Sequence, residues 1–441
     1  MASDGSGLAG SIFTPDVRFQ PWWWEAVPRP EAAAAELPQS VDVAIVGAGY
    51  TGLSAALTLA RAGRRVLLLE AGAVGEGAST RNGGMIGSGH RLTYAALTVR
   101  YGQGKAAAIL KEGLLSLEFT AELIEREQIA CHFTRSGRFR AAWRQRDYDA
   151  LGRECDQLRR DIGLEADMVP RAEQHREVAT DAYHGGCVYR RHGSLHPALF
   201  HQGLLERALA AGANLAAHCP VTGVVRESQG FQLATPRGRI EAREVIVATN
   251  GYTGPLTPAF RRRLVPLGSY IIATEPLDPG LVSSLIPGGR MIVEMRARHC
   301  YYRASPDGRR ILFGARASLR AIEPKVAAPR LRRLMVQLYP ALAEVKVSHS
   351  WTGFIAFPRD MMPHLGVHDG IHFALGYSGS GVAMAPYLGH KIALKLLGDA
   401  EGATGFDGIP FRAIPFYGGR PWFLPFYDLY YRLLDRIEGS A

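Results

Sequence analysis

The hydrophobic positions between residues 40 and 70 change period twice. Residues 41–46, VDVAIV, form a short β-branched run that ends at a glycine, which predicts a buried strand. The next stretch, LSAALTLARAG, places Leu53, Leu57 and Ala60 on one side of a helix that ends at Gly63. A second apolar run, RRVLLLE, predicts another strand that ends at Glu70. The pattern therefore predicts a strand–helix–strand unit of thirty residues.

A glycine-rich turn joins the first strand to the helix. Residues 47–52, GAGYTG, match G-x-G-x-x-G, and Glu70 follows eighteen residues after the last glycine. The three glycines allow a tight turn, a close approach to a pyrophosphate and close helix packing, while the helix N-terminus attracts the anion. A carboxylate at Glu70 accepts hydrogen bonds from a ribose hydroxyl and disfavours a 2′-phosphate. The predicted dinucleotide contacts are Gly47, Ala48, Gly49, Tyr50, Thr51, Gly52, Glu70 and Ala71. This unit alone leaves NAD and FAD open.

The later strand-like segments belong to a second unit. Residues 264–277 and 298–316 are strand-like, and the turn sequence SPDG at 305–308 predicts a hairpin between 298–304 and 310–316. Residues 132–144 are candidates for the same sheet, and a helix over 328–339 is expected to cover it.

The segment after Glu70 points to FAD. Residues 70–83 fit E-x(4)-G-x-G-x-S-x-R-x-G, which resembles the signature of amine and amino-acid oxidoreductases of the D-amino-acid oxidase family. EVIVATNGY at 244–252, GYSGSGVAMAP at 376–386 and CPVTGVV at 219–225 resemble further segments of that family. A helix is expected just after the second of these, from Tyr387. The resemblance implies FAD contacts at Ser79, Thr80, Arg81, Asn82, Gly83, Gly84, Val221, Val224, Ala248, Thr249, Asn250, Trp351, Gly376, Ser378, Gly379, Gly381 and Val382.

The resemblance extends from about residue 20 to the end of the chain. WWWE at 22–25, GSLHP at 193–197, WTG at 351–353 and GRPWFLP at 419–425 resemble the gamma-glutamylputrescine oxidoreductase-like branch. It implies an α/β (α+β) fold, with a Rossmann-like FAD-binding domain and an inserted mixed-sheet substrate domain. We expect the first to comprise residues 1–100, 186–255 and 345–441, and the second 101–185 and 256–344. The FAD is expected to be non-covalent, because no histidine or cysteine stands where some relatives attach the flavin.

The activity implied by the resemblance is oxidation of a C–N bond in a primary or secondary amine, either an amino acid or a polyamine derivative. Hydride passes to flavin N5, and the resulting imine hydrolyses to a carbonyl. Oxygen or another acceptor then reoxidises the flavin. The catalytic candidates are Tyr301 and Tyr302, which could orient the amine, and Arg303 and Arg316, which could clamp a carboxylate. A solvated strand face is an equally good interpretation of these four residues.

The composition and charge of the chain limit the classes of molecule that it is expected to bind. The chain has 441 residues, 47% of them hydrophobic, a formal net charge of +10 and only six lysines. The arginine cluster at 135–146 is expected to be a solvated face or a loop edge. The basic charge keeps open a flavoprotein acting on modified tRNA, and a non-catalytic FAD-binding protein is a third hypothesis. The leading expectation is a small-molecule amine substrate and no nucleic acid.

The remaining signals concern compartment and metals. Five dispersed cysteines and the absence of a signal-peptide pattern predict a cytoplasmic protein. The uncharged run 43–60 is explained by the dinucleotide unit, so no integral membrane span is expected. His364, His368 and His372 are interrupted by glycines, so we predict no metal site. The aromatic stretch 422–437 is expected to pack on the core or on a second subunit, although a membrane or partner contact is an alternative.

Overall fold

The structure is a computed structural model that describes residues 11–27, 36–296, 299–318 and 321–427. Its α-helices, α1 to α10, are Tyr50–Arg61, Ala78–Arg81, Tyr94–Tyr101, Gln103–Arg126, Gln145–Ile162, Pro197–Ala210, Pro258–Arg261, Pro279–Leu285, Pro324–Leu338 and Gly381–Leu397. Its strands, β1 to β19, are Phe13–Arg18, Ser40–Val46, Val66–Leu69, Met85–Ile86, Arg138–Ala141, Asp167–Val169, Gly186–Tyr189, Gly193–Ser194, Asn214–Ala216, Gly223–Glu227, Gly230–Thr235, Gly238–Val247, Leu264–Thr274, Met291–Glu294, Cys300–Ala304, Ile311–Ala315, Val347–Pro358, His364–His368 and Ile371–Leu375.

An eight-stranded sheet contains the predicted strand–helix–strand unit. Its main path is β10-β11-β12-β2-β3-β9, and β19 and β18 extend it from β12. β2 pairs in parallel with β3 and β12, which places Val46 opposite Leu69 and Val247. Three strand carboxyl ends therefore meet at one edge, the usual place for a ligand in such a sheet.

A nine-stranded mixed sheet forms the second layer of the fold. Its order is β1-β17-β13-β16-β15-β14-β5-β7-β6, with parallel pairs at β1/β17 and β14/β5. The predicted hairpin is β15 and β16, closed by a turn in which Gly308 N donates to Ser305 O at 2.9 Å. Arg140, Val293 and Tyr301 stand opposite one another in successive strands, so their side chains share one face.

Apolar helix faces cover both sheets. The apolar side chains predicted on one side of the first helix, Leu53 and Leu57 of α1, are buried in the core under the parallel strands. Leu331 and Met335 of α9 are fully buried against the outer face of the mixed sheet. The other face of the mixed sheet is left to face the parallel sheet and the loops at its edge.

The α/β (α+β) prediction is confirmed, with some differences in detail. Residues 132–144 contribute only Arg138–Ala141 to the mixed sheet, and the covering helix is Pro324–Leu338. The last helix begins at Gly381 rather than at Tyr387, because Met384 N already donates to Ser380 O at 3.1 Å.

The predicted domain ranges remain a prediction. Gly186–Tyr189 and Val347–Pro358, which those ranges assign to the FAD-binding part, are strands of the mixed sheet. β17 pairs with β13 along its length, from Val347 to Pro358, so its hydrogen bonds hold it in that sheet. Of the aromatic stretch 422–437, residues 428–437 lie outside the described residues.

Candidate active site

A cavity of about 1390 Å³ lies between the two sheets. The carboxyl ends of the parallel strands and the glycine segment 77–89 line one side of it. The inner face of the mixed sheet, from β13 to β5, lines the other side. The cavity therefore joins the predicted dinucleotide site to the predicted substrate sheet.

The glycines of the turn at 47–52 are required by close backbone approaches. Gly47 has a φ of +104°, which side-chain-bearing residues rarely adopt. A Cβ on Gly49 would lie 2.9 Å from Ser79 Oγ, and one on Gly52 only 2.0 Å from Gly47 O. The first space borders the cavity, and the second lets α1 pack directly on the turn. These contacts fit the passage of an extended pyrophosphate past the N-terminus of α1.

Glu70 occupies the position expected of a ribose acceptor. Its Oε2 accepts a hydrogen bond from Ala48 N at 2.9 Å, and its Oε1 accepts one from Gly72 N at 3.2 Å. The carboxylate is thereby fixed at the end of β3 and still lines the cavity. As a negatively charged acceptor, it suits a neutral hydroxyl donor rather than a second anion.

The glycine-rich segment 77–89 is fixed by hydrogen bonds rather than being a flexible linker. Ser79 Oγ accepts from Tyr50 N at 3.0 Å, and Asn82 Oδ1 accepts from Gly84 N at 2.8 Å. Trp351 Nε1 donates to Arg81 O at 2.8 Å from the mixed sheet. The N-terminus of α1 and the mixed sheet therefore hold this segment in place beside the cavity.

The last glycine segment reaches the cavity from the opposite end of the chain. Gly376 N donates to Asn250 Oδ1 at 2.9 Å, which ties this segment to the end of β12. Ser378, Gly379 and Gly381 then line the cavity where α10 begins. The positive end of that helix dipole favours negative charge at this point.

Most of the predicted FAD contacts line the cavity, namely Gly47, Ala48, Gly49, Tyr50, Thr51, Glu70, Ala71, Ser79, Arg81, Asn82, Gly83, Val221, Ala248, Thr249, Asn250, Ser378, Gly379, Gly381 and Val382. Six do not line it, namely Gly52, Thr80, Gly84, Val224, Trp351 and Gly376. Trp351 is fully buried, and Thr80 Oγ1 is used by Gly75 O and Trp24 Nε1. These two side chains therefore support the cavity wall from behind, and a direct contact between them and FAD stays a prediction.

The structure divides the four catalytic candidates into two that line the cavity and two that do not. Tyr301 lines the cavity, and its hydroxyl lies 2.8 Å from Ser269 Oγ. Arg316 also lines the cavity, with its guanidinium 4.8 Å from the centre of the Phe357 ring. Tyr301 and Arg316 are the two candidates that the structure brings to the cavity.

The other two catalytic candidates, Tyr302 and Arg303, do not line the cavity. Tyr302 points to the opposite face of the sheet, where its hydroxyl lies 3.0 Å from Tyr183 Oη. Arg303 shares the face of Tyr301, but its Nη1 donates to Gly84 O and Leu195 O at 3.0 Å each. Its guanidinium is buried between backbone carbonyls and does not line the cavity.

Two arginines expected on a solvated face line the cavity instead. Arg138 and Arg140 alternate with Phe139 and Ala141 along β5, and the mixed sheet turns the two arginines inward. Arg140 Nη1 donates to Glu154 Oε2 of α5 at 3.0 Å. The alternation RFRA was the available signal, but sequence alone does not show that α5 covers this face.

A family of known enzymes matches most of this chain. The family model named DAO, described as FAD dependent oxidoreductase, matches residues 42–394. The chain belongs to this family. The family assignment makes the protein an FAD-dependent enzyme that acts on amines or amino acids.

Two similar proteins cover nearly the whole chain. Gamma-glutamylputrescine oxidoreductase of Escherichia coli is 32% identical over 401 residues, 90% of this chain and 93% of the relative. Probable oxidoreductase OrdL of Rhizobium meliloti is 31% identical over 432 residues, 94% of this chain and 97% of the relative. The resemblance to this branch is therefore confirmed.

Solved structures share the fold. Glycine oxidase from Geobacillus kaustophilus superposes with a TM-score of 0.71 and 24% identity, covering 86% of this chain and all of that one. L-proline dehydrogenase from P. horikoshii gives a TM-score of 0.69 at 19% identity, covering 84% of this chain and 96% of that one. These matches support an FAD-binding domain with a mixed-sheet substrate domain.

Proposed function

We propose that the protein binds FAD non-covalently and oxidises the C–N bond of a primary or secondary amine, either an amino acid or a polyamine derivative. The observation that carries the proposal is the shared cavity, in which the glycine segments face Tyr301 and Arg316. The names of the similar proteins, gamma-glutamylputrescine oxidoreductase and glycine oxidase, support an amine substrate.

FAD supplies one part of the chemistry: when bound, it accepts at N5 the hydride that leaves the carbon beside the nitrogen. The chain must position that carbon, exclude water and accept the substrate in its neutral amine form. The carbon loses a hydride and the nitrogen a proton, so a C=N bond remains. Water then hydrolyses the imine to a carbonyl and releases the amine fragment.

Tyr301 and Arg316 are the residues we assign to substrate positioning. Burial raises the pKa of Tyr301 to about 12, so its hydroxyl stays protonated and can hydrogen-bond to the amine nitrogen. Arg316 carries a permanent charge suited to a carboxylate. Tyr301 lies opposite Gly314 of β16, and Arg316 follows two residues later, just after the end of that strand, so one small molecule can contact both side chains.

We further propose a cytoplasmic enzyme that uses oxygen or another acceptor and no nucleic acid. All five cysteines are free and buried, which suits a reducing compartment. In the described parts of the chain, no helix combines the length and apolarity needed to cross a bilayer.

The first test is an absorption spectrum of the purified protein, repeated on the supernatant after acid precipitation. Flavin bands that move to the supernatant support non-covalent FAD, whereas bands that stay in the pellet contradict it. Anaerobic bleaching by a panel of primary and secondary amines then tests the reaction. Protein that binds no flavin after addition of FAD, or holoprotein that no amine bleaches, would refute the proposal.

A further inference from the structure

Gly314 lies beneath the tyrosine that lines the cavity. It stands directly opposite Tyr301 in the antiparallel pair of β15 and β16, so a side chain there would share the face of Tyr301. A Cβ on Gly314 would lie 2.2 Å from both Cε2 and Cζ of Tyr301 and 2.6 Å from its hydroxyl oxygen. The outer part of the phenol therefore occupies the space that any other residue at position 314 would fill.

The Tyr301 side chain leans across β16 instead of standing on its own strand. Its hydroxyl lies 2.8 Å from Oγ of Ser269, which belongs to β13 on the far side of β16. Ile271 of β13 pairs with Gly314, and Ser269 lies two residues before it on the same face. Neighbouring strands are about 4.8 Å apart, so the two side chains together bridge roughly 10 Å of the sheet. The phenol thus lies along the sheet, and one hydrogen bond fixes its far end.

The glycine-rich cofactor segment limits the ring on another side. A Cβ on Gly83 would lie 3.3 Å from Cε2 and 3.6 Å from Cδ2 of Tyr301, so the ring has little room to move towards that segment. Gly83, Ser269 and Tyr301 all line the cavity. The ring therefore lies between β16 and a predicted FAD contact, and the open space beside it is the cavity.

Glycine is otherwise a poor residue for this strand. β16 is paired on both sides and fully buried, and its other four residues carry apolar side chains. Glycine weakens the interior of a strand and often marks a place where another group approaches closely. Here the approaching group is the end of one side chain, which can rotate away more easily than backbone can move. A methyl group at position 314 should therefore displace the Tyr301 ring rather than the strand.

We propose that Gly314 and Ser269 are positioning residues for the oxidation of the amine, and that both act through Tyr301. Gly314 provides the slot in which the phenol lies, and Ser269 fixes the hydroxyl at the end of that slot. This inference rests on the proposed function, which assigns Tyr301 to the amine. A side chain at position 314 would turn the ring into the cavity, so Gly314 also limits the size of the amine that the cavity accepts.

The test measures anaerobic flavin reduction by stopped flow, on FAD-loaded protein, over a range of concentrations of the best amine. This design separates the limiting reduction rate from the apparent dissociation constant of the amine. Gly314→Ala should lower the ratio of rate to dissociation constant at least about tenfold, because the displaced hydroxyl loses its hydrogen bond to the amine. For the shortest amine that is oxidised, the loss should be smaller by about threefold or more.

Double-mutant cycles separate positioning from damage to the sheet. In Tyr301→Ala the slot is empty, so the addition of Gly314→Ala should change reduction by less than about threefold. Ser269→Ala should slow reduction about threefold to tenfold in the wild type. In Tyr301→Phe, which has no hydroxyl to fix, it should slow reduction by less than about twofold. Losses of the same size with and without the Tyr301 groups would overturn the proposal.

A control variant and a crystal structure complete the test. Gly104→Ala adds the same methyl group where no neighbour lies within 4 Å, and it should leave reduction unchanged. A crystal structure of Gly314→Ala shows the slot directly, without turnover. A ring turned into the cavity would support the proposal, whereas an unmoved ring beside a displaced β16 would contradict it.

Calorimetric titration with amines of graded size keeps the two proposals distinguishable. Suppose that no amine reduces the wild-type flavin, but that Gly314→Ala has a displaced ring and binds the longer amines more weakly. That result would support the role of Gly314 and contradict the proposed function. Reduction by amines that is the same in Gly314→Ala and in the wild type would support the proposed function and contradict the positioning role.

Discussion

Tyr301 and Tyr302 are adjacent in sequence but face opposite sides of β15, so one hydroxyl can be removed on each side of the same sheet. Tyr302 is fully buried against Phe313 and Tyr339, with ring centres 5.4 and 5.7 Å away. We therefore expect Tyr302→Phe to affect stability and Tyr301→Phe to affect substrate oxidation.

The magnitude for Tyr302 follows from its hydrogen bond to Tyr183. Tyr183 donates to Glu294 Oε1 at 2.8 Å, so the Tyr302 hydroxyl is the donor in the 3.0 Å contact with Tyr183. Tyr302→Phe removes this bond but leaves Tyr183 bound to Glu294, which should lower the free energy of unfolding by about 1 kcal/mol. Tyr302→Ala also opens a cavity and should cost about 3–5 kcal/mol.

The expected effect at Tyr301 is of another kind. Tyr301→Phe removes a hydroxyl that faces the cavity and lies 2.8 Å from Ser269 Oγ. Loss of a hydrogen bond to the reacting amine should slow anaerobic flavin reduction roughly tenfold to a hundredfold. Stability should change by less than about 1 kcal/mol, because the residue is only partly buried.

The assay pairs urea unfolding with stopped-flow reduction by the best amine of the panel. All variants are compared at equal flavin content, so that cofactor loss does not imitate slow chemistry. Suppose that Tyr302→Phe slowed flavin reduction more than tenfold while Tyr301→Phe left it unchanged. The tyrosine that acts on the substrate would then not be the one that strand alternation places on the cavity face. That result would refute the reasoning.

Two further predictions concern the cofactor turn and acid stability. Gly52→Ala should lower FAD affinity at least about a hundredfold, because its Cβ would lie 2.0 Å from Gly47 O; Gly104→Ala, with no neighbour within 4 Å, should leave the flavin-to-protein absorbance ratio unchanged. Burial lowers the pKa of both His90 and His201 to about 4. Their contribution to stability is therefore present above about pH 6.5 and lost as the pH falls towards 4, by up to roughly 3 kcal/mol each. Urea midpoints that do not change across that range would contradict this.

The local parts of the fold could be predicted from the sequence. The strand–helix–strand unit and the hairpin at 305–308 depend on nearby residues, whose periodicity and turn chemistry are visible in the chain. The mixed character of the second sheet came from the family resemblance, because strand order depends on contacts between distant segments. The cofactor segments were predictable for the same reason.

The roles of single side chains in the site were harder to predict. Alternation shows that Tyr301 and Tyr302 face opposite ways, but not which of them faces the cavity. Arg303 is held by carbonyls of Gly84 and Leu195, more than a hundred residues away in sequence. The sequence placed Arg138 in a solvated arginine cluster, because no neighbouring residue in the chain indicates that α5 covers its strand.

Arg303 couples the stability of the mixed sheet to that of the cofactor segment that contains Gly84. Its guanidinium joins the substrate sheet to Gly84 in the cofactor segment, and burial leaves it no water to replace those carbonyls. Because one guanidinium holds carbonyls of both parts, a displacement of the cofactor segment also displaces the strand that carries Tyr301. By reciprocity, substrate binding that shifts this strand also changes the affinity for the cofactor. Replacement of Arg303 should therefore weaken both binding sites together, even though its side chain does not line the cavity.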